Sequence, residues 1–264
     1  NRETVIEGLT MNGVITRDEG VASAVIQRLD LVSPRFITTG ELSVDSTSTA
    51  RLNLAGKDVD VSRLRDTALK LAGDIEIVKD LFAHVKSGRV PQVNLQAAGG
   101  SFSALWKNID VAGVLRDGNI LVGAPGLDLD DVNGQFVVSR GTLEAKQFSA
   151  RLGKIRGSDG TLRLGLEGRS APFHLDAMVQ ADAAELQSLL LRVVEDDGIR
   201  KELSRIRDLE GDLSGRLTLG EKLHSLSPII SISRAALRGS HDLIPYPISI
   251  KAGSFRHGNS KTEV

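Results

Sequence analysis

Residues 111–180 decide the fold, and they read VAGVLRDGNILVGAPGLDLDDVNGQFVVSRGTLEAKQFSARLGKIRGSDGTLRLGLEGRSAPFHLDAMVQ. Apolar side chains occupy every second position in Thr161–Leu166 and again in Phe173–Val179. Alternation with a period of two places the apolar side chains on one face of a β-strand and the polar ones on the other. The stretch therefore predicts strands with one apolar face.

Turn signals separate these strands. Asp117-Gly118, Arg140-Gly141 and Asp159-Gly160 each suit the centre of a tight hairpin, where the backbone needs a positive φ. Successive hairpins make an antiparallel meander, and one apolar face is typical of such sheets. We expect a mainly β fold with helical inserts, in which an elongated, curved antiparallel sheet forms an apolar groove.

Composition and charge argue against several classes of function. The 264 residues carry a net charge of -1, which argues against nucleic acid as a partner because such a partner requires a basic surface. The chain has no cysteine, and no apolar run reaches the roughly 18 residues that span a bilayer. Because the first residue is Asn1 rather than Met, we expect residues 1–264 to be one segment of a longer protein.

Helical periodicity interrupts the strands twice, at about residues 62–87 and 183–207. Ser62 is a candidate N-cap for the first helix, and Asp182 with Glu185 matches a capping box. The order strand, Asp, two helices, strand occurs at Leu52–Ala98 and again at Phe173–Leu219, with Asp60 and Asp182 in corresponding positions. We interpret this as a duplicated unit in which two helix pairs pack on the sheet.

The sequence contains only weak matches to metal-binding and catalytic motifs. The segment GLDLDDVNG, with Asp128, Asp130, Asp131 and Asn133, is similar to a calcium loop, but its twelfth position is Ser139 instead of the bidentate Glu. The alternative is a strand followed by a turn at Asn133-Gly134. The five histidines share no ligand spacing, and no G-x-S-x-G motif is present. We expect no metal, no cofactor and no catalytic residue, and we disfavour an enzyme.

The apolar face remains to be explained. Four short helices are too few to cover about a dozen strands, so the sheet either curls on itself or binds something there. The candidate lipid-binding residues on this face are Leu143, Ala145, Leu162, Leu164, Leu166, Leu175, Ala177 and Val179.

One segment resembles a known family. The stretch LRDGNILVGAPGLDLDDVNGQFVVSRGTLEAKQFSARLG, residues 115–153, resembles the AsmA-like proteins of Gram-negative bacteria. The shared pattern consists of Asp117, Gly118, Leu127, Leu129, Val132, Gly134, Gly141 and Leu143. The segments Leu209–Gly220 and Ile244–Phe255 are also similar to that family.

The resemblance implies a periplasmic β groove with an apolar floor, anchored in the inner membrane and carrying lipids toward the outer membrane. It implies phospholipid as the ligand, with a possible outer-membrane or periplasmic protein partner, and it supplies no catalytic residues. The usual N-terminal membrane helix is missing from residues 1–264, which fits an excised segment. The alternative is a structural or assembly module of the cell envelope that carries no lipid.

Overall fold

A computed structural model describes residues 10–18, 21–31, 36–74, 76–101, 104–105, 108–122, 126–166, 172–194, 197–222, 225–258 and 261–263. Within these residues the chain is mainly β, as the alternating pattern predicts, with fifteen strands and four helices of nine residues or more. The strands are β1 (Thr10–Asp18), β2 (Val21–Leu31), β3 (Phe36–Val44), β4 (Ala50–Asp60), β5 (Val85–Gly99), β6 (Ile109–Val122), β7 (Leu127–Ser139), β8 (Thr142–Leu152), β9 (Ile155–Gly165), β10 (Pro172–Asp182), β11 (Ile206–Lys222), β12 (Ser225–His241), β13 (Ile244–Ile250), β14 (Phe255–Gly258) and β15 (Lys261–Glu263). The helices are α1 (Val61–Ala72), α2 (Glu76–His84), α3 (Ala183–Val193) and α4 (Asp197–Arg205).

The strands form one antiparallel sheet. Each strand from β1 to β12 pairs with the next, and β12 then pairs with both β13 and β14. Among the strands that the structure describes, no ladder joins β1 to the opposite edge, so the sheet is open. The accessible surface of 16581 Å² agrees with this, because a compact monomer of 28.2 kDa exposes about 11,000 Å².

Each helix pair interrupts a hairpin. The first joins β4 to β5 and the second joins β10 to β11, close to the predicted inserts at 62–87 and 183–207. The strands alternate in direction, so both pairs lie at the same end of the sheet. Val78 and Phe82 of α2 are buried there against Val59 and Val90 of the sheet.

The two strand–helix–helix–strand units begin their first helix with the same N-cap hydrogen bond. Asp60 Oδ1 accepts a hydrogen bond from the N–H of Arg63 at 3.2 Å, and Asp182 Oδ1 accepts one from the N–H of Glu185 at 3.1 Å. Asp60 is therefore the N-cap of α1, and the prediction of Ser62 in that role is wrong. Asp182 is confirmed as the N-cap of α3.

The helices of each pair are also tied together in the same way. Five residues after the first N-cap, Arg65 Nε donates to the carbonyl of Phe82 at 3.1 Å. Five residues after the second, Gln187 Nε2 donates to the carbonyls of Leu203 and Ile206 at 2.7 and 2.8 Å. Equivalent positions thus fasten the first helix of each unit to the end of its second helix, which supports duplication of the unit.

The Asp-Gly pairs are not hairpin turns. Asp117-Gly118 lies inside β6 and Asp159-Gly160 inside β9, whereas Arg140-Gly141 does form the turn between β7 and β8. The turn expected at Asn133-Gly134 is wrong for the same reason, because β7 runs through it.

The Asp-Gly pairs instead mark β-bulges in a row near the helix-bearing end of the sheet. Six non-glycine residues within strands have a left-handed backbone, and all but the first coincide with a register shift: Asp58, Asp117, Asp131, Gln147, Asp159 and Asp208. Asp tolerates this conformation better than most residues, and each bulge bends its strand and increases the local twist.

Candidate functional site

The pairing of neighbouring strands brings apolar side chains together on one side of the sheet. We call this side the apolar face and define it as the side that carries Leu143, Leu164 and Phe173. The polar face is the opposite side, where Arg163 is paired with His174. Two rows of cross-strand partners run along the apolar face.

The first row crosses β1 to β10 and contains only aliphatic residues, glycine and one phenylalanine. Its members are Gly13, Ile26, Gly40, Leu54, Leu95, Val111, Val138, Leu143, Leu164 and Phe173. The row stops at β10, because the partner of Phe173 on β11 is Glu221.

The second row crosses β1 to β11, a distance of about 50 Å at the usual strand spacing. Its members are Met11, Leu29, Thr38, Gly56, Val93, Gly113, Phe136, Ala145, Leu162, Leu175 and Leu219. Thr38 is its one polar member, and its Oγ1 donates to the carbonyl of Ala55 at 3.0 Å while the residue is only 1% exposed. The row therefore presents no unpaired polar side chain.

All eight predicted lipid-binding residues lie on this face. Five belong to the two rows, and Leu166 follows Leu164 by two residues and packs in the same cluster. Ala177 and Val179 pair with Leu217 and Gly215 of β11 in the unbroken register that also holds Leu175. The alternation of the sequence thus identified the shared face of these residues.

The two rows differ in how deeply their side chains are buried. In the first row, side chains are half-buried from Ile26 to Val111 but buried from Val138 to Phe173. The predicted residues Leu143, Leu164, Leu166 and Ala177 are all 9% exposed or less. In the second row, Ala145, Leu162 and Leu175 remain half-buried, so from β8 to β10 this row is the more accessible one.

Phe148 is a part of this face that sequence reasoning missed. The residue is 8% exposed, and a Cβ placed on Gly160 would lie 2.2 Å from its ring. A Cβ placed on Gly134 would lie 2.8 Å from the Phe148 Cβ. The two glycines therefore leave the space that the Phe148 ring occupies. In the sequence, the signal for this contact was an isolated phenylalanine with a glycine in each of the two neighbouring strands.

On the polar face, charged side chains of neighbouring strands pair with one another. Arg216 and Thr218 both bind the carboxylate of Asp176, with Arg216 Nε at 3.1 Å and Thr218 Oγ1 at 2.7 Å. The hydrogen bonds from Arg216, followed by that from Thr218, lower the pKa of Asp176 in spite of its partial burial. The ionised carboxylate of Asp176 therefore links β10 to β11.

The carboxylates of the candidate calcium loop are bound by side chains of the two neighbouring strands, β6 and β8. Asn119 Nδ2 donates to Asp128 at 2.7 Å and to Asp130 at 3.0 Å, and Asp131 is paired with Arg151 at 3.1 Å. No group of three or more His, Asp or Glu residues in the described part of the chain could hold a metal ion.

A small cleft of about 260 Å³ lies between α3 and the β8–β9 turn, with Leu152, Ile155, Glu185 and Leu189 in its wall. Glu185 Oε1 accepts a hydrogen bond from the N–H of Lys154 at 2.8 Å, which attaches the second helix pair to this turn. The cleft is smaller than most ligand pockets, which enclose about 300–1,000 Å³.

The residues that the structure describes include no helix long and apolar enough to cross a membrane. No protein family, curated protein or solved structure matches the chain.

Proposed function

We propose that the chain binds phospholipid acyl chains along the second row and passes them along the sheet as part of a periplasmic lipid-transfer bridge. The observation that carries the proposal is the continuity of that row, which runs over eleven strands of an open sheet without an unpaired polar side chain. The resemblance to AsmA-like proteins supports the periplasmic setting and attachment to the inner membrane by a part of the protein outside residues 1–264.

Physical chemistry favours a track of this kind for lipid. Each CH₂ group removed from water contributes about 0.8 kcal/mol, so a chain lying on the row is held without any specific contact. Because the row is chemically uniform, each step along it exchanges one apolar neighbour for another, and a moving chain meets no large desolvation barrier. Such a role requires no catalytic group, and we propose a non-enzymatic protein.

The curved groove that we predict from the sequence belongs to this proposal. The row of bulges supports it, because strands bent at neighbouring positions curve a sheet in one direction. With the apolar face on the concave side, lipid chains would be sheltered while their head groups remain in water.

A second function, a structural module without lipid, is favoured by one observation. Val138 is 4% exposed, and Leu143, Leu164 and Phe173 are 9% exposed or less, because the protein's own side chains cover them. A face that covers itself in this way does not need a lipid, and such a module would use its strand edges to pair with other envelope proteins.

Photo-crosslinking separates the two functions. A benzophenone amino acid at Leu175 lies on the second row, and the same probe at His174 lies one residue away on the exposed polar face. Leu162 and Arg163 form a second matched pair on β9. If the proposal is correct, phospholipid is captured from Leu175 and Leu162 in cells, and native mass spectrometry detects it on the purified protein.

Equal capture from both faces, or capture from neither, would contradict lipid binding and favour the structural module. Leu164→Asp is unsuitable for this test, because Leu164 is 9% exposed and a charge there would be buried in the core. Leu162→Gln, with Arg163→Gln as its control, lowers lipid capture without placing a charge in the interior.

A further inference from the structure

The apolar face carries a third row of cross-strand partners, which crosses β1 to β6. Its members are all apolar: Ile15, Ala24, Leu42, Leu52, Ala97 and Ile109. Each member lies two residues from the first-row residue of the same strand, which corresponds to about 7 Å, on the side away from the second row. The third row closes at Ala97, which is 7% exposed.

The second row is closed where it crosses β3 and β4. Thr38 is 1% exposed, and Gly56 is buried as well. A Cβ placed on Gly56 would lie 2.6 Å from a ring carbon of Phe36 and 2.9 Å from Val93 Cγ1, so these two side chains close over the glycine. An acyl chain that follows the second row from β10 therefore meets covered positions before it reaches β2.

The first and third rows are open on the same strands. Ile26, Gly40 and Leu54 of the first row are half-buried. In the third row, Leu42 is 37% exposed and Leu52 is half-buried. The pattern is reversed from β8 to β10, where the first row is buried and the second row is half-buried. The accessible apolar surface thus changes rows between the two parts of the sheet.

The change of row takes place on β5 and β6. Leu95 and Val93 of β5 are both half-buried, as are Val111 and Gly113 of β6, so the first and second rows are open side by side on these two strands. On β7 the first row closes at Val138, which is 4% exposed. An acyl chain can pass between the rows on β5 and β6 over a step of about 7 Å without crossing a polar side chain.

The chemistry of the open surface on β2 to β4 favours a hydrocarbon chain as its ligand. These strands are paired on both sides, so their backbone N–H and C=O groups are engaged in sheet ladders. An extended peptide lying on the face would bury its own backbone groups without partners, which costs free energy. An acyl chain has no such groups. Rows about 7 Å apart leave a furrow for one chain, because carbon atoms pack best at about 3.5–4.0 Å.

We propose that β2 to β4 form a second acyl-chain site on the first and third rows, and that a chain crosses to the second row at β5 and β6. The residues assigned to this site are Ile26, Leu42, Leu52 and Leu54. The inference rests on the proposed function, and it adds that the lipid path runs diagonally across the sheet, following the second row only from β5 to β10.

Photo-crosslinking of the purified chain with vesicles of phosphatidylethanolamine and phosphatidylglycerol tests this path. A benzophenone amino acid at Leu52 should capture phospholipid, and the same probe at Asn53, on the exposed polar face of the same strand, should not. Leu42→Asp places a charge on the third row at a position that is 37% exposed, and it should lower capture at Leu52 by about ten-fold. Ser43→Asp, on the polar face of β3, is its control and should leave capture unchanged.

Probes at Leu162 and Leu175 separate this inference from the proposed function. Capture at those two residues but not at Leu52 would overturn the diagonal path and leave lipid binding on the second row intact. Capture at none of the three would overturn both proposals. Equal loss in Leu42→Asp and Ser43→Asp, or crosslinking of Leu52 to a second protein chain instead of lipid, would contradict the site. Urea denaturation verifies that each variant is folded, and Leu42→Ser, with the same direction of effect, replaces a charged variant that is not.

Discussion

Gly160→Ala tests how the apolar face is packed around Phe148. The new Cβ would lie 2.2, 2.4 and 2.7 Å from three carbons of the Phe148 ring, whereas carbon atoms pack best at about 3.5–4.0 Å. The ring is 8% exposed and has Gly134 on a neighbouring strand beside its Cβ, so it has little space to move. Overpacking of this kind costs about 1–3 kcal/mol, against a gain of about 0.4–1 kcal/mol from a less flexible unfolded chain.

Gly157→Ala is the matched control on the same strand. A Cβ there meets only backbone oxygens, at 3.8 and 4.0 Å, so the substitution should be neutral or slightly stabilising. We expect the free energies of unfolding of the two variants to differ by about 2 kcal/mol, measured as a shift in the urea midpoint at constant m-value.

A double-mutant cycle with Phe148→Leu identifies the contact responsible. Replacing the ring should remove most of the cost of Gly160→Ala, with a coupling free energy of about 1 kcal/mol or more. The reasoning is refuted if Gly160→Ala and Gly157→Ala have the same stability, or if the cycle shows no coupling.

Four further changes test other parts of the structure by urea denaturation. Asp182→Ala removes the N-cap of α3 and should cost about 1 kcal/mol, so an unchanged midpoint would mean that the cap is not formed. Phe82→Ala should cost about 3–5 kcal/mol, because Phe82 is 7% exposed; a cost below 1 kcal/mol would show that α2 does not pack on the sheet. Asp159→Gly should be tolerated and Asp159→Val should cost about 1 kcal/mol or more, and equal effects would contradict the left-handed bulge. For Asp176→Asn, the lowered pKa of Asp176 means that the stability lost is greatest above pH 4 and disappears as the pH falls through the folded-state pKa below 3.8; a difference that persists at low pH would have another cause.

Local alternation was sufficient to predict that the regularly spaced apolar side chains of β9 and β10 share a face. The leucines of Thr161–Leu166 share one face with Phe173, Leu175, Ala177 and Val179, because side chains alternate between the two faces of any strand, whatever its neighbours are. The depth of each side chain was not predictable in this way. Leu162 and Leu164 occupy equivalent positions in the pattern, yet only Leu164 is buried, because depth depends on residues from distant strands.

The Asp-Gly pairs are an example of a local sequence pattern that is compatible with two different backbone structures. A hairpin turn and a β-bulge both need a left-handed residue, and Asp117 and Asp159 satisfy either. Pairing with the adjacent strand decides between them, and that information is not local. Similarly, Ser62 and Asp60 are both good N-caps, and the choice was made by the length of β4, which stays paired with β5 as far as Asp60.

The helix pairs join positions that are already neighbours in the sheet. Asp60 is paired with Arg89 and Asp182 with Asp212, so inserts of 28 and 29 residues begin and end at adjacent points. Because loop-closure entropy grows only with the logarithm of length, each insert costs about 2 kcal/mol more to close than a two-residue turn. Burial of Val78 and Phe82 alone offsets that amount in the first unit. A hairpin at this end of the sheet can therefore acquire a folded insert of this size while the strands on either side keep their register.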